Sequence, residues 1–306
     1  MRKKSISGVI LDNIQFAVLA LPAFALIFVF SYLPMGGLVM AFKNFQVKAG
    51  IFGSPWVSFK NFQFFFTSAD AFRVMRNTVL LNLLFIAGKL VCSVAFAMLL
   101  FRLRSKGAVK FYQTTTIIPY FLSWVVVGFM AFTLLDPTRG LINHILASFG
   151  AAPVQWYSAP AYWPLILLIT SLWQGVGYGS ILYFANLMGI ENDYLEAASL
   201  DGASGRQTFA YVILPYLVPL ITILTILDIG RIFRADFGLF FNVTRNVGAL
   251  YPTTDVIDTY IFRALMKVGD VGMSAAVGFF QSIVGFVMIL GANLIVHRIE
   301  PENALF

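Results

Sequence analysis

An all-α integral membrane protein with six transmembrane helices is the fold class this sequence predicts, and three observations carry the prediction. Apolar residues make up 59% of the 306 and charged residues only 11%, where a soluble chain carries about 25% charged residues. Six runs reach the roughly 20 residues needed to cross the hydrocarbon, near 14–40, 78–103, 110–135, 163–188, 212–234 and 274–296. No loop between them has room for a separate soluble domain, so 1–306 reads as a single transmembrane domain.

Taken in order, the first run follows Arg2, Lys3 and Lys4 and holds Pro22 and Pro34. A signal peptide has only about 7–15 apolar residues. Ala23-Phe24-Ala25 resembles a cleavage site, but the run stays apolar beyond it, so an uncleaved first span is expected. The tight loop between the second and third spans carries Arg102, Arg104, Lys106 and Lys110. Short basic loops stay on the cytoplasmic side, which puts this loop, both termini and the polar segment 190–211 inside. The outer segments are then 41–77, 136–162 and 231–273. In the last, Thr253-Thr254-Asp255 is a helix start signal, and Ile257, Tyr260, Ile261 and Leu265 follow at helical spacing. That piece is expected to lie along the outer membrane surface.

Several function classes drop out. The net charge of +7 comes without basic-aromatic clusters, so nucleic acid is not a partner. The single cysteine, Cys92, excludes intrachain disulfides and a CxxC metal site. His144 and His297 have no ligand or catalytic partner at motif spacing, and no GxxxxGK[ST] loop is present. The chain is expected to hold no metal and no catalytic residue of its own.

Polar residues inside the spans are costly to bury in lipid, so they mark pathways or helix contacts. In the fourth span Ser171, Gln174, Gly175, Tyr178 and Leu182 share a face, with Asn186 one turn further in. In the fifth, Thr222, Thr225, Asp228 and Arg231 recur every three residues. Asp228 lies about 20 Å of helix beyond Pro215, past the midplane. Asp228 and Arg231 can pair with each other or meet a ligand, and Gln174 and Tyr178 read equally as pathway or packing. Facing polar and aromatic groups of this kind suit a hydroxyl-rich solute. Ser274, Gln281 and Ser282 mark the sixth span, where Gly278 and Gly285 read as helix contacts. Asn82 and Lys89 stand one heptad apart in the second, and Lys89 needs a structural partner that the sequence does not name.

The longest polar interval, 190–219, reads as a short helix from 192 to 200, a Gly-broken turn and a second amphipathic helix. Asp193 and Glu196 have the spacing of a capping box. Gly202 and Gly205 can each adopt backbone that other residues resist. Within it, Glu196-Ala197-Ala198, three residues, Gly202, nine residues, then Val212-x-Leu214-Pro215 resembles the EAA motif of ABC importer permeases, with Val212 in place of the family's isoleucine.

The resemblance covers almost the whole chain. Trp56-Val57-Ser58-Phe59-Lys60-Asn61-Phe62, Gly140-Leu141-Ile142-Asn143, Asp255-Val256-Ile257-Asp258-Thr259-Tyr260 and the closing Pro301-Glu302-Asn303-Ala304-Leu305-Phe306 resemble the carbohydrate-uptake branch. More narrowly they are similar to the LplB-type oligosaccharide permeases, relatives of the maltose permease MalF. The resemblance implies the type I ABC importer permease fold in a bacterial cell membrane. It also implies a second homologous permease subunit and two cytoplasmic ABC ATPases, which bind the ATP and Mg. An external solute-binding protein, a lipoprotein if the source is Gram-positive, would deliver an oligosaccharide. Glu196, Ala197, Ala198, Gly202 and Pro215 would form the ATPase-coupling segment. Counted from Glu196, the maltose permease's sugar contacts fall on Ser171, Gln174, Gly175, Tyr178, Asp228, Arg231, Ile232 and Ala235. The same machine with a non-sugar solute is one alternative. A secondary transporter or membrane scaffold that needs no ATPase is another.

Overall fold

The computed structural model describes residues 14–299 and 301–305, and among them every regular element is helical, apart from one isolated bridge between Lys43 and Trp56. Arg2, Lys3, Lys4 and Phe306 lie outside the described residues. Five helices are long and apolar enough to cross a membrane, or six if one sharply bent pair counts as a single span. The first, α1 (Ile14–Ile27), passes through a π turn (Phe28–Tyr32) into a 3-10 tail (Leu33–Phe42) around Pro34. The tail packs on the last helix, with the rings of Phe42 and Phe279 5.7 Å apart. A short amphipathic helix, α2 (Lys60–Thr67), leads into α3 (Ala69–Arg102), which starts well before residue 78.

The bundle is organised on α3 and α7 (Trp163–Leu187). A Cβ on Gly88 would meet Leu168 at 3.0 Å, one on Gly175 would meet Lys89 at 3.5 Å, and one on Gly179 would meet Ser93 at 2.7 Å. These contacts advance together along both sequences, so the helices run parallel. Small residues every four positions, Ser171, Gly175 and Gly179, let the backbones approach, as in membrane helix pairs generally.

The third run is two helices, α4 (Lys106–Ile117) and α5 (Trp124–Leu134), bent by 96°. Pro119 lacks a backbone donor, a 3-10 turn covers Ile118–Phe121, and Leu122 and Ser123 are extended. Ser123 Oγ then accepts from the Val126 N–H and restarts the helix. Each half has its own neighbour. A Cβ on Gly177 would overlap the Thr116 carbonyl, and one on Gly128 would lie 2.6 Å from the Asn242 carbonyl.

After α6 (Leu141–Ser148), α7 and the short α8 (Asn192–Leu200), helix α9 (Gly205–Ile229) returns through the bundle. It widens into a π turn at Phe209–Ile213, where the Leu214 N–H reaches the Phe209 carbonyl, immediately before Pro215. It ends at Ile229 rather than 234, at the level of mid-α11 (Val271–Ile299): a Cβ on Gly285 would lie 2.7 Å from the Gly230 carbonyl. The chain is irregular from there, which is tolerated at membrane depth only where other protein groups satisfy the backbone. They do. Asn82 Nδ2 donates to the Ile232 and Arg234 carbonyls, and Gln281 Nε2 to the Phe233 carbonyl at 2.7 Å.

At the end of the bundle away from α8, each loop bearing the family resemblance supplies a polar side chain that ties down backbone. Asn61 Nδ2 donates to the Ala41 and Lys43 carbonyls. Asn143 accepts from the Val154 N–H and Trp156 Nε1. Asp255 is buried and pairs with Arg263 at 2.6 Å and Arg73 at 3.3 Å. The expected start signal at Thr253–Asp255 is therefore displaced: α10 (Ile257–Arg263) begins after Val256, and Asp255 is an ion-pair hub.

Candidate coupling helix and translocation cavity

Helix α8 stands off the bundle with little to cover it. Glu196, Ala197, Tyr194 and Leu200 are exposed, Leu200 at 88%. Leu195 anchors it from below, in an apolar cluster with Ala97, Tyr183, Leu187, Ile190, Ile213 and Leu217. The expected Asp193–Glu196 capping box does not form. Glu191 occupies the N-cap without a side-chain bond, and Asp193 lies in the first turn, where its charge suits the helix dipole.

The turn that follows is built tightly. The Ala203 N–H bonds the Ala198 carbonyl at 2.9 Å and the Gly202 N–H bonds the Ser199 carbonyl at 3.1 Å. This is the paired Schellman closure that needs a left-handed residue, and Gly202 has φ +72°. Gly205 has an ordinary helical backbone and simply opens α9. A reciprocal capping box does exist here, between Ser204 and Gln207: the Ser204 N–H donates to Gln207 Oε1 at 2.8 Å and the Gln207 N–H to Ser204 Oγ at 3.4 Å. A Cβ on Gly205 would lie 3.5 Å from Arg102 Nη2, so the basic loop and the α8 turn share one end of the bundle.

Helices α3, α7 and α9 enclose a cavity of ≈ 560 Å³, open on one side. Gln174, Gly175, Tyr178, Asp228 and Arg231 all line it, and Leu182 and Thr225 join them. Ser171 is buried at 2% exposure and does not line it, and neither do Ile232 or Ala235. Ile232 is in the core, and the Ala235 N–H is bound by Asp258 Oδ2 at 2.8 Å. Asp228 and Arg231 do not form an ion pair. Among the described residues the ion pairs join Arg73 to Asp70 and Asp255, and Arg263 to Asp255.

Lys89, Tyr120 and Asp236 are among the lining residues that escaped the sequence. Lys89 reaches the cavity across the bare face of Gly175, where an added Cβ would sit 3.9 Å from Nζ. Tyr120, from the break in the third run, stacks on Tyr178 with ring centroids 4.4 Å apart and planes within 8°. Asp236, past the end of α9, accepts from Trp124 Nε1 at 2.9 Å and the Leu239 N–H at 3.2 Å. Lys89 carried a signal, an isolated cation in an apolar run. Tyr120 and Asp236 carried none, because the bend and the unwound segment place them.

In sixth-span terms, Gly285 is a true backbone contact, whereas a Cβ on Gly278 would meet nothing within 4 Å. Ser282 accepts from Arg234 Nη2 at 3.1 Å beside a second hollow of ≈ 300 Å³, which shares Leu227 and Arg231 with the first.

A bent helical bundle with an exposed EAA helix and a polar cavity beside it defines a transporter's membrane subunit. Residues 89–301 match the family described as binding-protein-dependent transport system inner membrane component, and the chain belongs to that family. It is a permease component, not a transporter's catalytic part. The chain is 32% identical to the polygalacturonan/rhamnogalacturonan transport system permease protein YteP of Bacillus subtilis, over 94% of this chain and 88% of that one. It is 30% identical to Protein LplB of the same bacterium, over 94% and 89%. Among solved structures, the fold is similar to a chain of a bacterial alginate ABC transporter in complex with alginate pentasaccharide-bound periplasmic protein. The TM-score is 0.88 at 29% identity, over 97% of this chain and 98% of that chain.

Proposed function

We propose that this chain is one permease half of an ATP-driven importer, passing an oligosaccharide received from an external binding protein. A second, homologous permease closes the open side of the cavity, and two ATPases, carrying ATP and Mg, dock on α8. The α8 end and both termini then face the cytoplasm of a bacterial cell. The alternatives of a non-sugar solute or an ATPase-independent carrier find no specific feature in their favour.

One observation carries this reading: the exposed EAA helix is joined by short, hydrogen-bonded turns to both helices that bear the cavity's polar residues. Met188–Glu191 links it to α7, and the Gly202 turn with the Ser204–Gln207 box links it to α9. Leu195 seats it on the same apolar cluster. A push on Glu196, Ala197 and Ala198 therefore reaches α7 and α9 together, and Pro215 marks where the lever becomes a span. Movement of these helices against a partner would reshape the cavity holding Gln174, Gly175, Tyr178, Asp228 and Arg231, while Ser171 keeps α7 against its neighbour.

The test is Tyr178→Ala in the assembled importer. An aromatic pair contributes about 0.5–1.5 kcal/mol beyond its burial, so uptake should fall about 2–10-fold with membrane insertion and assembly unchanged. Wild-type uptake would remove Tyr178 from the pathway.

A further inference from the structure

We infer that Lys89, with Arg231 beside it, selects for acidic oligosaccharides by receiving a substrate carboxylate in the α3–α7–α9 cavity. This rests on the reading of the cavity as a sugar pathway and names the class of sugar.

The argument is a balance of charges in one place. Lys89, Asp228, Arg231 and Asp236 are the charged side chains lining the cavity. Asp236 is already engaged, its two oxygens accepting from Trp124 Nε1 and the Leu239 N–H. Asp228 is the remaining carboxylate, and it lies in the electrostatic field of both Lys89 and Arg231. Neither cation comes within ion-pair distance of it among the described residues. Hydrogen bonds from neutral donors leave Asp236 charged, so the cavity holds two cations and two carboxylates, and Arg234 in the adjoining hollow makes the count three to two.

Geometry adds to charge. Lys89 is exposed in a helix otherwise buried in the bundle or lipid, which a cation tolerates only beside water or an anion. Gly175 leaves the opening through which its Nζ reaches the cavity, and a Cβ there would lie in contact with Lys89 Cε at 3.5 Å. The stacked Tyr120–Tyr178 pair lines the same space, offering aromatic surface to a sugar ring while the ammonium meets a carboxylate. A neutral sugar would leave one of the three cations without a counter-charge. A uronate supplies it.

The experiment uses the complete importer in proteoliposomes with its binding protein, and compares uptake of oligogalacturonate with uptake of the same oligomer after carboxyl reduction. Wild type should take up the acidic oligomer at least tenfold faster, the fold-change equal to about 1.4 kcal/mol. Lys89→Gln should lose most of that preference while keeping uptake of the reduced oligomer, and Lys89→Arg should restore it. Co-purification of the second permease and the ATPases with this chain should be alike in all three, which shows that each variant assembles. Equal uptake of both oligomers by wild type overturns the charge inference and leaves the sugar pathway standing. An equal fall for both oligomers in Lys89→Gln overturns the role of Lys89. Uptake of neither oligomer by an importer with normal ATPase activity overturns the sugar reading as well.

Discussion

Gly202 is the position where a single methyl group tests the coupling geometry. Its φ is +72°, and a Cβ there would meet nothing within 4 Å. The cost of Gly202→Ala is therefore the left-handed backbone alone, about 1–2 kcal/mol. That lowers the ratio of formed to unformed turn by a factor of about 5–30. Gly202→Asn should cost less, because asparagine enters the left-handed region more readily than other side chains. Gly202→Pro should cost most, since it fixes φ near about −65° and removes the N–H that bonds the Ser199 carbonyl at 3.1 Å. The assay is co-purification of the partner ATPase with the permease from detergent extracts, normalised to the permease in the membrane. Recovery should decline from wild type through Asn and Ala to Pro, with Pro combined with Glu196→Lys near zero and membrane levels equal. Full recovery with Gly202→Pro would refute the reasoning, because that variant cannot keep the Ala198–Ala203 closure.

Two further predictions concern the scaffold. Gly177→Ala puts a Cβ into the Thr116 carbonyl; overpacking of this kind costs about 1–3 kcal/mol, so the melting temperature in detergent should fall by several degrees. Gly278→Ala, which meets open space within this chain, is the control, and equal melting of the two variants would sink the α4–α7 contact. Burial pushes the Asp258 carboxyl above its ordinary value of 3.8, and the Ala235 N–H only partly opposes it. The protonated form is thus favoured in the folded state, and its stabilising contribution is full below the unfolded value and lost as pH rises through the raised folded one. Asp258→Asn keeps an acceptor for Ala235 and should flatten the melting temperature against pH above pH 4. Identical slopes for wild type and variant would show that Asp258 does not titrate in this way.

How legible the chain was depends on whether a feature is local. Helix existence followed from apolar run length, because a spanning helix satisfies its own backbone and needs no partner to be recognised. The EAA spacing from Glu196 to Pro215 was equally plain, since the helix, left-handed turn and second helix are closed by neighbours within six residues. The capping assignment went to the wrong helix for a local reason: Asp193 and Ser204 both have an acidic or amide residue three positions on, and only the Ser204–Gln207 pair has its backbone at a helix start. The bend after Pro119 was hidden because the run stays apolar across it, and the end of α9 at Ile229 because Asp228 and Arg231 continue the three-residue spacing of Thr222 and Thr225 past it. After α9, side chains from other helices, Asn82 and Gln281, satisfy the irregular backbone at Ile232 and Phe233.

By itself, then, the sequence determined a membrane-embedded helical chain with an EAA helix–turn–helix on one side and polar faces on the helices that flank it. Periodicity and spacing are enough for these, because each depends on contacts within one helix or one turn. The cavity was decided by tertiary structure alone. The parallel pairing of α3 and α7 through Gly175 and Gly179 brings Lys89 to Tyr178 and Asp228, the broken third run delivers Tyr120, and the unwound end of α9 delivers Asp236. Residues so far apart along the chain share a site only once close helix packing has set their depth and facing, and that is why the helix at Glu196 could be read directly while the pocket it would drive could not.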